Sequence, residues 1–433
     1  MAPLGVRARF RALLVGVLLA AGAGAGSSSQ SAPGASGAVV AAAATAATAA
    51  AASVAASSAS GGGFLPPGSA SAGGIYNMVL VYTDARSFAP GSEFNLSSSD
   101  WVSLLMQCEA KLFDAVLFTG YTWTDSSCFW PVQCQRPLNA TDWASILALW
   151  TGELGARGLS DATSAAFGPG ATTKAFVAIP YPDERAESFG RLGGGRELNF
   201  SVQADRVEAA CWWARAVRAA VAPLPGVELA GMYWYLEGTT PRDIEILPQV
   251  GACVREAGLK FAWIPDYADG VEEGQAAQWR ALGFDFATLQ PNYAFYDVTT
   301  QRFANTSAAM AALGLGVEME VPMTVRNTLI DKNSTQSFYA YLDAAVELGW
   351  SVPGGNGTSG ALKTWYSGND IALYSRLAAA GNASMAQRLD DIRALVNGDY
   401  VPPGGPPRAR GARATASPRC RRAPGREEEQ VKT

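Results

Sequence analysis

Between residues 75 and 400 the chain alternates short apolar runs with longer helical patterns, and few folds accommodate that rhythm. Strand candidates are Met78–Asp84, Ala115–Trp123, Lys174–Asp183, Glu228–Glu237, Phe261–Tyr267, Phe286–Asn292, Gly316–Val321 and Leu362–Tyr366. Most are too continuous in Val, Ile, Phe, Tyr and Trp to leave one face in water, as expected of parallel strands covered on both sides. Helical patterns lie between them at Ser99–Ala110, Asp142–Leu154, Arg206–Val221, Asp243–Gly258, Gly274–Leu282, Ser307–Leu313, Gln336–Leu348 and Ile371–Val396, the last broken near Gly381. Trp213, Ala216, Val217 and Ala220 form a core-facing stripe at helical spacing. Eight strands alternating with helices predict an α/β fold, a (β/α)8 TIM-type barrel in one domain spanning 75–401. A doubly wound open sheet is the alternative, because periodicity does not report closure.

The ends read differently. Residues 1–26 carry Arg7, Arg9 and Arg11, then an apolar run and small residues, the order of a signal peptide. Residues 27–74 are almost entirely Ala, Ser, Gly and Pro, which predicts a disordered linker, and 402–433 predict a disordered basic tail. Removing the tail's eight basic and three acidic residues and the leader's three arginines from the formal −5 leaves about −13 for 74–401. An acidic core argues against nucleic acid as a partner. A leader that is removed leaves no membrane insertion to expect, and the chain points to a secreted protein of the cell wall or matrix. Cys128 and Cys134 flank a five-residue loop and are expected to form a disulfide. Cys108, Cys211 and Cys253 lie in helical patterns as buried thiols, with a Cys211–Cys253 bridge the alternative. Glycosylation sequons begin at Asn95, Asn139, Asn199, Asn305, Asn333, Asn356 and Asn382.

The chain contains no histidine. A Ser-His-Asp triad, an HExxH zinc site and any imidazole base are therefore excluded. Catalysis must use carboxylates, Tyr, Lys or Cys, with no cofactor or metal called for. Gly355-Asn-Gly-Thr-Ser-Gly360 fits a dinucleotide fingerprint but precedes a strand, so it reads as a turn.

Glu237 closes the aromatic strand Gly231-Met-Tyr-Trp-Tyr-Leu-Glu-Gly238, at the strand end where barrels hold their substrates. Glycoside hydrolysis uses two carboxyl groups, one protonated and one ionised. Glu237 is the candidate proton donor. The second acid comes from Gly316-Val-Glu-Met-Glu320, where Glu318 and Glu320 share a face. Glu320, nearer the strand's end, is the preferred nucleophile or base, with Glu318 second. The rival reading pairs either acid with a lysine or arginine inside the barrel. Asp266 ends strand five, while Asp84 and Asp183 read mainly as loop caps.

Aromatic residues crowd the strand ends: Tyr82, Tyr121, Trp123, Tyr181, Tyr235, Trp263, Tyr293, Trp365 and Tyr366. Sugar rings stack on such faces, and Gln290 and Asn292 suit their hydroxyls. Candidate substrate-binding residues are Tyr82, Asp84, Tyr181, Tyr235, Trp263, Gln290, Asn292, Tyr293 and Trp365, the competing role for several being core packing. Trp234 should face the helices, opposite Tyr235.

Ile179-Pro-Tyr-Pro182, Phe189-Gly190, Leu229-Ala-Gly-Met-Tyr-Trp234 with Glu237, Trp263-Ile-Pro265, Gly283-Phe-Asp285, Leu289-Gln-Pro-Asn-Tyr-Ala-Phe295 and Gly316-Val-Glu-Met-Glu320 resemble, in order, the domain-of-unknown-function family 4855. The resemblance covers about residues 75–400. It implies a glycoside-hydrolase-like barrel in secreted, mostly bacterial proteins. Asp266 stands where family members tend to carry Tyr, so it is left outside the catalytic pair. The reading is a polysaccharide or oligosaccharide hydrolase. A non-catalytic carbohydrate-binding barrel and a transferase on the same scaffold are the alternatives.

Overall fold

The structure, a computed structural model, describes residues 63–403 apart from 85–95, 108–109, 122, 125–126, 128, 130–134, 269–270, 272–273, 323–333, 355–358 and 369. The expected leader, most of the linker and nearly all of the tail lie outside these residues. So do Cys108, Cys128, Cys134, Cys420 and the sequons at Asn95, Asn333 and Asn356.

The barrel's eight strands run β1 Asn77–Tyr82, β2 Ala115–Thr119, β3 Thr173–Ile179, β4 Val227–Trp234, β5 Lys260–Trp263, β6 Phe286–Leu289, β7 Gly316–Glu320 and β8 Lys363–Tyr366. Each pairs in parallel with its sequence neighbours, and β8 pairs back onto β1 through Asn77–Lys363, Met78–Thr364 and Val79–Trp365. The sheet is closed, which decides between the barrel and the open sheet. Helices are α1 Ser98–Leu105, α2 Ala140–Thr151, α3 Ala156–Phe167, α4 Gln203–Val221, α5 Pro241–Glu256, α6 Gln301–Leu313, α7 Ser334–Glu347, α8 Asp370–Ala379 and α9 Ala383–Val396. The helical pattern at 274–282 shrinks to a 3-10 turn, Ala276–Gln278, bounded by Gly274 and Gly283 at positive φ. Helix α3 has no counterpart in the sequence reading, although Leu159, Ala162 and Thr163 bury one of its faces.

Strand residues alternate between the barrel interior and the helices. Inside, Phe176 of β3 and Phe286 of β6 meet edge-to-face at 5.6 Å, and the Thr288 and Thr364 hydroxyls lie 2.9 Å apart. Outside, Trp263 stacks on Phe284 at 5.0 Å, and Trp234 packs against the Tyr181 ring. Trp365 donates its indole N–H to Asn77 Oδ1 at 3.1 Å. In β4 the register against β3 shifts between Ala175 and Phe176, which pair with Leu229 and Gly231, so Ala230 is an extra residue. Gly231 is required here: a Cβ would sit 2.3 Å from the Phe176 ring and 2.5 Å from Lys260 O.

The fold begins before residue 75, and the expected linker boundary moves accordingly. Leu65 donates its N–H to Leu315 O at 3.0 Å and accepts from Leu362 N–H at 2.7 Å, with Ala72 and Ile75 fully buried beneath the barrel. A Cys211–Cys253 disulfide joins α4 to α5, rather than two buried thiols. No helix among the described residues is long and apolar enough to cross a membrane.

Lys363 opens β8 fully buried, its Nζ donating to Trp350 O at 2.7 Å and Ala361 O at 3.1 Å. Burial pushes its ammonium down to about 7, against about 10.4 in the unfolded chain. Between those values the unfolded chain binds a proton that the folded chain does not, so stability rises with pH across the window and is lost as pH falls toward 7. In urea denaturation the wild type should gain roughly 3–4 kcal/mol between pH 7 and 10 relative to Lys363→Met, at 1.36 kcal/mol per pKa unit. Parallel pH profiles for the two proteins would show that Lys363 stays charged.

Candidate active site

The C-terminal ends of the strands open on a pocket. Its lining comes from six strands or their continuations: Leu80 and Tyr82, Thr119 and Tyr121, Tyr233, Tyr235 and Glu237, Gln290, Glu318, and Tyr366. Side-chain alternation explains the membership. Leu80 and Tyr82 are two apart on β1, and Tyr233, Tyr235 and Glu237 continue the inward row that Gly231 starts on β4.

Five tyrosines dominate the wall. Tyr82 and Tyr121 stack with centroids 4.3 Å apart and planes 11° apart, and Tyr366 meets Tyr82 edge-on at 5.6 Å. The Tyr121 and Tyr366 hydroxyls share a hydrogen bond of 2.5 Å. Burial raises the Tyr82 phenol well above its ordinary range, reinforced by Tyr121, Tyr366 and Glu318. Tyr82 therefore stays protonated beside Glu318. Phe129 lies 5.7 Å from Tyr235 and stacks on Trp150, which brings the loop after β2 against the β4 end.

The three candidate acids occupy different settings. Glu237 is partly exposed at the mouth, while Glu318 is almost wholly buried deeper in the same pocket. Glu320, although on the same strand face as Glu318, is fully buried and accepts a hydrogen bond from the Tyr341 hydroxyl of α7. Tyr341 in turn accepts the Tyr293 N–H at 3.2 Å. Burial, followed by the neighbouring Glu320, pushes the Tyr341 phenol up. Glu320 is thus held by α7 and is not among the lining residues.

Of the expected sugar-contacting residues, Tyr82, Tyr235 and Gln290 line the pocket. Gln290 also donates to Ile264 O at 2.8 Å, which fixes its amide. Six others lie off the wall. Asp84 is buried and accepts the Tyr121 N–H at 3.0 Å, so it braces a wall residue from behind. Trp263 and Trp365 sit on the helix side of their strands, and the Trp263 indole donates to Leu236 O at 2.9 Å. Tyr293 packs on Phe303 at 4.6 Å. Asn292 adopts φ 59°, a left-handed conformation that asparagine tolerates, and turns the chain after β6. Asp183 is paired with Arg185 at 2.5 Å, and Asp266 is buried in an isolated bridge with Gln290.

Tyr181 belongs to a cluster the sequence did not reveal. Its hydroxyl donates to Asp243 at 3.1 Å, and Asp243 pairs with Arg206 at 2.5 Å with neither side chain exposed. Arg206 also donates to Pro182 O at 2.7 Å. Asp243 closes a capping box with Thr240, three residues beyond Glu237. Arg206 and Asp243 open two separate helical patterns in the sequence, and only the tertiary packing of α4 on α5 brings them together. Tyr233, Thr119 and Leu80 were also passed over. The parity that sets Tyr235 opposite Trp234 would have included Tyr233.

The sequence profile of the family described as "Domain of unknown function (DUF4855)" matches residues 77–392, which spans the barrel from β1 into α9. The chain belongs to that family. No curated protein matches it in sequence. Among solved structures it is similar to a family 18 chitinase from Crocus vernus, with 11% identity and a TM-score of 0.39 over 73% of this chain and 99% of that one. An exo-β-1,4-mannosidase from Opitutaceae bacterium strain TAV5 shows 16% identity and a TM-score of 0.38, over 71% and 54%. A mutant tryptophan synthase α-subunit from Pyrococcus furiosus shows 9% and 0.35, over 77% and 99%. At such values the likeness carries no argument.

The buried Arg206–Asp243 pair yields a stability test. Asp243→Asn leaves a guanidinium without its charge partner in the interior and should cost roughly 3–5 kcal/mol in urea denaturation. Tyr181→Phe, which removes one neutral donor, should cost only about 1 kcal/mol. Equal costs for the two would mean that the ion pair contributes nothing beyond its hydrogen bonds.

Proposed function

We propose that the protein is a secreted carbohydrate-active enzyme that hydrolyses glycosidic bonds with Glu237 as general acid and Glu318 as nucleophile or water-activating base. The observation that carries this reading is that these two acids, one on the loop just past β4 and one on β7, line one pocket walled by five tyrosines. Phenol rings offer flat apolar faces for a sugar ring, while their hydroxyls and the Gln290 amide offer hydrogen bonds at its edge. Glu237, at the solvent-facing mouth, can exchange its proton with water between turnovers. Glu318, deep and flanked by the neutral phenol of Tyr82, suits a group that acts on the anomeric carbon or on an attacking water. Glu320 is reassigned from the chemistry to support, because its carboxylate is engaged by Tyr341. Secretion is part of the proposal and rests on the signal-like leader together with a disulfide between α4 and α5.

The test is a set of single substitutions assayed on a panel of polysaccharides, with the product anomer followed by NMR. Glu237→Gln and Glu318→Gln should each lower turnover by about 10²–10⁴-fold, the range of a lost acid or base, and leave the fold intact. Glu320→Gln should retain turnover within about tenfold and act mainly on stability, through its hydrogen bond to Tyr341. Wild-type turnover by Glu237→Gln would remove it from the mechanism. Binding of a glycan without cleavage by the unmodified protein would instead favour a carbohydrate-binding barrel.

A further inference from the structure

Glu237 sits on a loop rather than in β4 itself, so its aim depends on what holds Leu236–Thr240. Three side chains from elsewhere grip that loop's backbone or its cap. Trp263 donates to Leu236 O, and Asp243 accepts the Thr240 N–H at 2.9 Å. The third is Gln275, from the loop after β5. Its Oε1 accepts both the Thr239 N–H at 2.8 Å and the Thr239 hydroxyl at 3.1 Å, and its Nε2 donates to Thr239 O at 3.3 Å. A backbone N–H can only donate, so the contact with Thr239 N–H fixes which end of the amide is oxygen. Gln275 itself is anchored: it opens the 3-10 turn whose Ala276 and following Trp279 are buried, and the Trp279 indole donates to Leu313 O at 3.1 Å. The amide therefore joins the loop two residues past Glu237 to a fixed point on the next βα unit.

We propose that Gln275 is a positioning residue for Glu237. It holds the Leu236–Thr240 segment from the neighbouring loop, so that the carboxyl stays directed into the pocket. The proposal rests on the assignment of Glu237 as proton donor. Gln275 is absent from the pocket wall, so it acts through the loop and not on substrate.

Two measurements on the full-length protein test it, and only one needs turnover. By hydrogen exchange, Gln275→Ala should lose protection at the Thr239 amide by about tenfold while core strand amides stay unchanged. Gln275→Glu keeps the acceptor for that amide and should recover part of it. In kinetics, paired p-nitrophenyl and 2,4-dinitrophenyl glycosides separate proton donation from the rest, because the second leaving group departs without help. Gln275→Ala should slow the p-nitrophenyl substrates by up to about 100-fold, the scale of a misplaced catalytic group, and leave the dinitrophenyl substrates nearly unaffected. Unchanged Thr239 protection would overturn the proposal, as would equal loss on both leaving groups. Should Glu237→Gln cleave p-nitrophenyl glycosides at the wild-type rate, the proposed function fails, and the exchange result still decides whether Gln275 holds the loop.

Discussion

An open eight-stranded sheet would leave the outer backbone groups of Asn77–Tyr82 and Lys363–Tyr366 without ladder partners. Their pairing with each other removes both edges at once. Closure has consequences for every side chain. It gives the strands an inside and an outside, and it gathers their C-terminal ends, which belong to residues far apart in sequence, around one mouth. Glu237 and Glu318 are 81 positions apart, and nothing local relates them. What relates them is that β4 and β7 belong to the same ring.

Within that ring, size and polarity are layered. Phe176 and Phe286 fill the lower interior, the threonine pair Thr288 and Thr364 lies above, and tyrosines take the top. Tyrosine fits a rim because the ring packs while the hydroxyl reaches polar partners. The outer layer uses tryptophan instead, where each indole fills space between strand and helix. Trp263 does both jobs: its ring stacks on Phe284 and its N–H holds Leu236 O. A residue that reads as a sugar platform in the sequence thereby supports the site from behind.

The parallel α/β architecture was legible because parallel strands buried on both faces leave continuous apolar runs, while closure rests on the β8–β1 pairing, which no run of residues shows. Glu237 was legible for a similar reason, as the one charged residue of the run Gly231–Glu237 and at its end. The direction of each aromatic was less so. Trp365 and Tyr366 are adjacent and equally aromatic, yet one packs outward against Phe113 and the other walls the pocket. Parity distinguishes them only once one residue of the strand is known to point inward. Glu320 shows the limit of parity itself. It lies on the inward face as expected, but at the strand's end the backbone no longer constrains the lean of the side chain, and Tyr341 from α7 decides it. The Arg206–Asp243 pair was illegible for a further reason, since it depends on how two helices pack rather than on either helix.

Parity on β4 has its own subtlety, and it determines whether there is a site at all. Below the bulge, Leu229 pairs with Ala175; above it, Gly231 pairs with Phe176, whose ring is inside the barrel. Two residues of the same parity thus lie on opposite faces, because Ala230 is counted on one strand and not on the other. Had Ala230 taken a regular place in the ladder opposite Phe176, Tyr233, Tyr235 and Glu237 would have continued the face of Leu229 and been directed at the helices. Instead, Ala230 is left unpaired in the bulge, the alternation restarts at Gly231, and the whole upper row faces inward. Gly231 makes the turn possible, since only a residue without Cβ fits between the Phe176 ring and Lys260 O. The acid at the mouth therefore owes its orientation to a glycine and an alanine six and seven residues earlier, neither of which touches the pocket.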